Sequence, residues 1–260
     1  MSVNETDGRR WVSSEVEVPG TPEEVWEAIA SGPGISSWFV PTRFEPEGAA
    51  TPTSVVVSFG EGMDSKSEIQ SWDPPRRFVA EGSWGEGSPP VATEWSVEAR
   101  EGGTCVVRVV HSLFASTTEW DEQLEGTTGG WANYFRVLKL RLTHFAGEPA
   151  AVAQAMFPLG ADLDTVWDRV VAGLGLEAAE ENWVSPEGAP QGEGIIEARL
   201  EHSVFLRLRS PGSMIVHLEA LPMGEQGLLA WRQFAYGDGR SHADAQAAAW
   251  RDWTQALASA

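Results

Sequence analysis

The feature of the sequence that most constrains the fold is a helical phrase that occurs twice. Residues 25–34 read Val-Trp-Glu-Ala-Ile-Ala-Ser-Gly-Pro-Gly, and residues 166–175 read Val-Trp-Asp-Arg-Val-Val-Ala-Gly-Leu-Gly, 141 positions later. Valine-tryptophan, an acidic residue, two apolar residues and two glycines fall in the same register. Any short amphipathic helix shares part of this pattern, but the common register favours two copies of one module over a single large domain.

Each copy is preceded by residues that begin a helix. Thr21 and Asp162 occupy the N-cap position, where a side-chain oxygen accepts a hydrogen bond from a free amide of the first turn. Pro22 suits the first helical position, and Glu24 completes a Thr-x-x-Glu capping box. Local chemistry therefore predicts a helix at the same place in each copy.

The same order of elements surrounds both phrases. The first copy reads as a strand at 11–18, a helix at about 22–31, strands and turns from 43 to 112, and a long helix from Gly130 to Phe145. The second reads as a strand at 152–157, a helix at 162–173, strands between 195 and 234, and a helix at 243–258. A breaker at 147–149 separates them. We predict a disordered N-terminal tail (1–10), a first domain (11–147) and a shorter, divergent second domain (150–260).

Composition excludes several classes of partner and site. The net charge of −20 is spread over both halves without a basic segment, so we expect neither nucleic acid nor an anionic membrane as a partner. Cys105 is the single cysteine, which excludes an intrachain disulfide and multi-cysteine zinc sites. Residues 1–10 lack an apolar signal core, and no stretch approaches the roughly 18 apolar residues of a membrane span. The sequence predicts a soluble, acidic, cytoplasmic protein.

Several phrases of the first domain occur together in a known family. They are Val16-Glu17-Val18-Pro19 before the capped helix, Trp38-Phe39, the Trp72–Phe78 turn, Gly103-Thr104 opening a strand that ends in His111-Ser112, and Gly130-Trp131 opening the closing helix. With them, residues 11–146 resemble the START/Bet v1-like (SRPBCC) superfamily, in the branch related to the activator of Hsp90 ATPase. The second domain matches only at its first helix, last strand and closing helix, so we interpret it as a degenerate copy.

The resemblance implies an α+β fold of two helix-grip modules, each a curved antiparallel sheet wrapped around a long C-terminal helix. In this superfamily the cavity between sheet and helix binds lipids, polyketides or other apolar molecules. We expect the larger cavity in the first domain and a mostly filled second domain. The residues expected to line the cavity, each with ordinary core packing as its alternative, are Phe59, Trp84, Trp95, His111, Trp131, Tyr134 and Phe135.

His111 is the polar side chain expected inside the cavity. If Arg108 points outward, the alternation of a strand turns Val107, Val109 and His111 inward. An inward histidine could orient a ligand carbonyl or act as a general acid or base; the alternative is that it bonds a buried backbone group. Cys105 reads as a small buried hydrophobe rather than a nucleophile.

The sequence contains no Gly-x-Ser-x-Gly elbow, P-loop, His-Glu-x-x-His motif or dinucleotide fingerprint. We therefore predict no catalytic residue, metal or cofactor. Three functions stay open: binding of a small apolar or lipid-like molecule, a cyclase- or dehydratase-like reaction on a hydrophobic substrate, and a chaperone-associated interaction. A binding protein is favoured because no paired acid and base is evident, while a protein partner and the oligomeric state stay open.

Overall fold

The computed structural model describes residues 3–6, 8–60, 62–83, 88–114, 118–222 and 227–260. The chain divides into two compact units, Met1–Gly147 and Glu148–Ala260. Each unit contains one antiparallel sheet and ends in a long helix. The predicted fold class, an α+β tandem of two helix-grip modules, is confirmed. None of the described helices is both long and apolar enough to cross a membrane.

The first unit is built on an eight-stranded sheet. Its strands are β1 (Asn4–Thr6), β2 (Arg9–Pro19), β3 (Thr42–Glu45), β4 (Ser54–Ser58), β5 (Asp64–Asp73), β6 (Arg77–Gly82), β7 (Val91–Arg100) and β8 (Thr104–Phe114), in the spatial order β1-β2-β8-β7-β6-β5-β4-β3. All neighbours are antiparallel. Along β8, Val107 and Val109 are buried and Arg108 is exposed, so one face of the sheet carries the core.

Two short helices follow β2. They are α1 (Pro22–Ala30) and α2 (Gly32–Ser36). The predicted capping box is confirmed, because the Glu24 amide donates to Thr21 Oγ1 (3.3 Å) and the Thr21 amide donates to Glu24 Oε2 (2.8 Å). Gly34 lets α2 approach α1, since a Cβ there would lie 1.9 Å from the carbonyl oxygen of Glu27.

A long helix, α3 (Asp121–His144), closes the first unit. It begins nine residues before the predicted start at Gly130. Three glycines, at 126, 129 and 130, give this stretch poor helix propensity, but tertiary contacts outweigh it. Leu124 is fully buried with Val12, Val91 and Leu113, and Arg10 pairs with Asp121 in the first turn.

The N-terminal segment differs from the predicted disordered tail. Asn4–Thr6 pairs with Arg9–Trp11 as a short hairpin, and β2 begins at Arg9. Val3 packs against the cluster around Leu124, and Arg10 forms an ion pair with Glu5 (3.0 Å). These contacts order a polar segment whose own sequence gives no periodicity. Met1, Ser2 and Asp7 lie outside the described residues.

The second unit repeats the plan with fewer elements. These are β9 (Ala150–Pro158), α4 (Leu163–Gly173), β10 (Asn182–Val184), β11 (Glu193–Leu200), β12 (Ser203–Ser210), β13 (Met214–Leu221), β14 (Leu228–Tyr236), a 3-10 turn (Gly237–His242) and α5 (Ala243–Ser259). The strand order is β10-β11-β12-β13-β14-β9. Asp162 caps α4 as predicted, because its Oδ1 accepts from the Thr165 amide at 2.9 Å. The short strand β10 lies between the predicted helix at 162–173 and the first predicted strand at 195, where the sequence predicts no strand.

A tryptophan bonds the end of the first helix in each unit. Trp38 Nε1 donates to the carbonyl of Ala28 in α1 (2.8 Å), and Trp183 Nε1 donates to the carbonyl of Leu174 at the end of α4 (2.9 Å). Both indoles are fully buried. Each bond satisfies a carbonyl near a helix C-terminus and fastens the helix to its own core.

Gly129 gives a test of the N-terminal part of α3. It is exposed, and a methyl group there would meet no atom within 4 Å. Gly129→Ala should raise the free energy of unfolding by about 0.5–1 kcal/mol, because alanine loses less backbone entropy in a helix. Urea unfolding of the full chain, followed by circular dichroism, measures the change. Gly34→Ala is the opposed control and should destabilise; no gain for Gly129→Ala would contradict a helix at this position.

Candidate functional site

A cavity of about 310 Å³ lies in the first unit, between the inner face of the sheet and the N-terminal half of α3. Strands β3 to β8 contribute one wall, and α3 contributes the opposite wall through Thr127, Gly130, Trp131 and Tyr134. Gly130 has no side chain to fill the space, and a Cβ there would meet nothing within 4 Å. The sheet and the closing helix therefore enclose a space that their own side chains leave open.

Aromatic rings form most of the apolar lining. Phe39 stacks on Trp131 with ring centroids 5.0 Å apart and meets Tyr134 edge-on at 4.4 Å. Trp95 meets Trp131 edge-on at 5.0 Å and stacks on Phe78 at 6.2 Å. Offset and edge-to-face pairs of this kind add about 0.5–1.5 kcal/mol each to the burial of the rings. The apolar wall is thus held by ring contacts that do not need a ligand.

Hydroxyl groups supply most of the polar lining. The hydroxyl-bearing residues are Ser65, Ser67, Ser83, Thr93, Thr127 and Tyr134. Thr127 is engaged within α3, where its Oγ1 donates to the Leu124 carbonyl at 2.7 Å. None of the described lining residues is an Asp, Glu, Lys or Arg. The described lining is therefore neutral, with hydroxyls set among aromatic rings.

His111 connects the two walls through hydrogen bonds. Trp131 Nε1 lies 2.6 Å from His111 Nε2, and Thr93 Oγ1 lies 2.9 Å from His111 Nδ1. An indole N–H can only donate, so His111 Nε2 must accept and carry no proton. The neutral ring therefore carries its proton on Nδ1 and donates it to Thr93 Oγ1. The two hydrogen bonds assign the tautomer with the proton on Nδ1, and each donor is directed from α3 toward β7.

Burial keeps His111 neutral. Only 8% of the residue is exposed, and desolvation lowers the pKa of its imidazole from 6.5 to about 4. A protonated ring would also place an N–H against the indole N–H of Trp131. At neutral pH His111 is therefore an uncharged link whose two nitrogens are engaged, which makes it a poor general base. The predicted inward orientation agrees with this position, where the ring bonds two side chains and lies on the cavity wall.

The structure brings together five of the seven residues predicted to line the cavity. Phe59, Trp95, His111, Trp131 and Tyr134 all lie on it. Trp84 lies outside the described residues.

Phe135 is not among the described lining residues, which corrects that prediction. It is 2% exposed and packs against Trp38 and Trp95, with ring centroids 6.4 and 6.2 Å away. One step along a helix turns the side chain by about 100°, so Tyr134 reaches the cavity and Phe135 reaches the core below it.

Thr93 is a lining residue that the sequence analysis does not predict, although its spacing from Trp95 indicates that it shares the same face. Thr93 lies two residues before Trp95 in β7, so the period of a strand places both on one face. What the sequence lacked was the register, since Thr93 is the direct partner of His111 across β7 and β8. Phe39, Phe44 and Phe78 also line the cavity and are not predicted to do so by the sequence.

Other reactive groups lie away from the cavity. Cys105 is fully buried, its Sγ is 3.4 Å from the Gly20 carbonyl oxygen, and burial raises the pKa of its thiol. It is therefore a buried hydrophobe, as predicted. Among the described residues, no three His, Cys, Asp or Glu side chains group closely enough to hold a metal ion.

The lowered pKa of His111 makes stability depend on pH. The unfolded chain takes up a proton near pH 6.5, whereas the folded chain does so only near pH 4, so acidification between these values favours unfolding. Wild type should lose about 3 kcal/mol more than His111→Gln between pH 7 and pH 4, and the two should run parallel above pH 6.5. Urea unfolding of both proteins over a pH series measures this difference in the free energy of unfolding. The carboxylates titrate in both proteins, so their contribution cancels when the two are compared. If the unfolding free energies of the two proteins ran parallel over the whole pH range, that result would contradict a buried neutral His111.

The match to a known protein family lies in the first unit, which holds the cavity. The family model for activator of Hsp90 ATPase homolog 1-like proteins matches residues 19–143. No curated protein sequence matches the chain.

Solved structures give similarities at low identity. DynU16, a protein in the dynemicin biosynthetic locus, is 19% identical with 96% of both chains covered and a TM-score of 0.42. BexL, a di-domain ARO/CYC from the BE-7585A biosynthetic pathway, is 12% identical, with 96% of this chain and 99% of BexL covered and a TM-score of 0.47. The Aha1 dimer from Colwellia psychrerythraea is 17% identical, with 53% of this chain and 98% of that chain covered and a TM-score of 0.42.

The family match falls on α1, α2, the sheet from β3 to β8 and almost all of α3, the elements that enclose the cavity. The resemblance seen in the sequence phrases is therefore confirmed. Over residues 19–143, just under half of the chain, the first unit is therefore similar to the activator of Hsp90 ATPase homolog 1-like family.

Proposed function

We propose that the first unit binds a small, uncharged, mostly apolar molecule in the cavity between the sheet and α3. The observation that carries this proposal is the cavity itself, an open space of about 310 Å³ with an aromatic lining and a few hydroxyls. Concave, mostly apolar pockets with a few placed polar groups are typical of ligand sites, whose volumes range from about 300 to 1,000 Å³. The volume lies at the lower end of that range, which favours a compact ligand over a long-chain lipid.

The chemistry of the lining supports a neutral ligand. A charged group moved from water into an apolar cavity without a partner costs several kcal/mol. The described lining offers hydroxyls and the neutral His111, but no opposite charge to compensate it. A ligand with a flat apolar body and one or two oxygen atoms matches these walls.

The hydrogen bonds of His111 favour binding over proton-transfer catalysis. A cyclase- or dehydratase-like reaction needs a group that takes up or delivers a proton at the substrate. His111 is the only imidazole among the described lining residues, its nitrogens bond Trp131 and Thr93, and its pKa is about 4. We therefore assign the cavity a binding role.

A cavity-filling variant tests the proposal. Val57 is half-buried and lines the cavity, so the larger ring of Val57→Phe should occupy part of the space. Binding of the neutral fluorescent probe N-phenyl-1-naphthylamine should weaken at least about tenfold in this variant. The matched control is Val110→Phe, because Val110 neighbours His111 on β8 and points to the opposite face of the sheet. Fluorescence titration of the full chain gives both affinities.

Three results would contradict the proposal. The first is absence of saturable binding by wild type. The second is equal weakening by both variants. The third is binding that persists unchanged in Val57→Phe, which would place the probe elsewhere on the chain. Native mass spectrometry of gently purified protein adds an independent measurement, since a retained small molecule would be seen by its mass.

A further inference from the structure

We propose that the Thr93 hydroxyl is the specificity-determining group of the cavity and donates a hydrogen bond to a carbonyl or ether oxygen of the ligand. This inference rests on the proposed binding function and adds the chemical group that the ligand must carry. The observation behind it is the direction of the hydrogen-bond chain that begins on α3 and ends on β7.

The direction of the chain follows from the first donor. Trp131 Nε1 can only donate, which leaves His111 Nε2 as an acceptor and puts the imidazole proton on Nδ1. That proton is donated to Thr93 Oγ1, 2.9 Å away. Thr93 Oγ1 thus already accepts one hydrogen bond, and its own proton is directed to another atom.

The cavity is where that proton can find an acceptor. Thr93 lies on the cavity wall, two residues from Trp95 on the same face of β7. Within the described part of the chain, no acceptor bonds the Thr93 hydroxyl proton. Thr93 is half-buried, so a ligand in the cavity would cover its hydroxyl, and a ligand oxygen there would supply the acceptor that a hydrocarbon cannot.

The chain also strengthens its last donor. Successive hydrogen bonds in a low-dielectric interior polarise one another, so a hydroxyl that accepts from an imidazole N–H becomes a better donor. The aromatic pairs of Trp131 with Phe39 and Trp95 hold the first indole in place, which fixes the whole chain before a ligand arrives. Recognition of one oxygen acceptor is therefore built into the cavity wall.

A pair of matched ligands tests the inference. Fluorene and 9-fluorenone have nearly the same flat shape, but only fluorenone carries a carbonyl. Wild type should bind fluorenone about three- to tenfold more tightly than fluorene, as expected for one neutral hydrogen bond. Thr93→Val, which keeps the shape of the side chain, should lose this preference, and Thr93→Ser should keep it. The ratio of the two affinities is compared within each variant, so a general loss of binding cancels.

A vibrational measurement adds a readout that packing alone would not change. The carbonyl stretch of bound fluorenone should move to lower frequency in wild type and Thr93→Ser, and should stay at its apolar-solvent position in Thr93→Val. If Thr93→Val fails to fold, the affinity ratio and carbonyl frequency in wild type and Thr93→Ser still decide.

The outcomes separate the two proposals. Binding of fluorene and fluorenone with equal affinity would overturn the role of Thr93 and leave the binding function standing. The same holds for a preference that survives Thr93→Val or disappears in Thr93→Ser. Failure of wild type to bind either compound or N-phenyl-1-naphthylamine would overturn the binding function itself.

Discussion

The hydrogen bond from Trp131 to His111, 2.6 Å long, is the contact on which the site depends. It connects the closing helix to the centre of the sheet at a point where both are buried. It holds the indole that forms the helix side of the cavity, and it decides which imidazole nitrogen carries the proton. The position of Trp131 in the cavity wall and the direction of the hydrogen bond from His111 to Thr93 on β7 therefore both follow from one indole N–H, which can only donate.

The apolar enclosure and the polar chain depend on each other. Burial lowers the pKa of His111 to about 4, which keeps the ring neutral and lets Nε2 accept from Trp131. That bond in turn satisfies an indole N–H that would otherwise be buried without a partner. Exposing His111 to water would raise its pKa toward the ordinary value and weaken the link between sheet and helix. The burial of His111 and the position of Trp131 in the cavity wall therefore depend on each other.

Local chemistry was enough to predict much of this structure. The caps at Thr21 and Asp162 follow from a few neighbouring residues, and the inward side of β8 follows from the exposed Arg108. The repeated phrase placed one short helix near the start of each unit, where α1 and α4 lie. These features need only a period or a short motif, which a single sequence carries.

The rest depends on contacts between distant segments. The start of α3 could not be predicted from its glycines, because Leu124 and Asp121 are held by residues of the sheet, which lie outside the helix. The hydrogen bond between Thr93 and His111 needs the register of β7 on β8, which no local pattern specifies. For the same reason the sequence did not predict that both ring nitrogens of His111 bond other side chains.

The two units show that the cavity is not imposed by the common plan. In the second unit Trp183, Trp231 and Trp250 are fully buried in one cluster between the sheet and α5. Three large side chains there occupy the kind of space that the first unit leaves open beside Gly130. Filling a void of this kind would gain apolar contacts. The first unit leaves this space open and lines it with aromatic rings, hydroxyls and the neutral His111. A buried histidine is common to both units, His111 in the first and His217 in the second, so the proposed binding rests on the aromatic-lined space beside Gly130 and not on the burial of an imidazole.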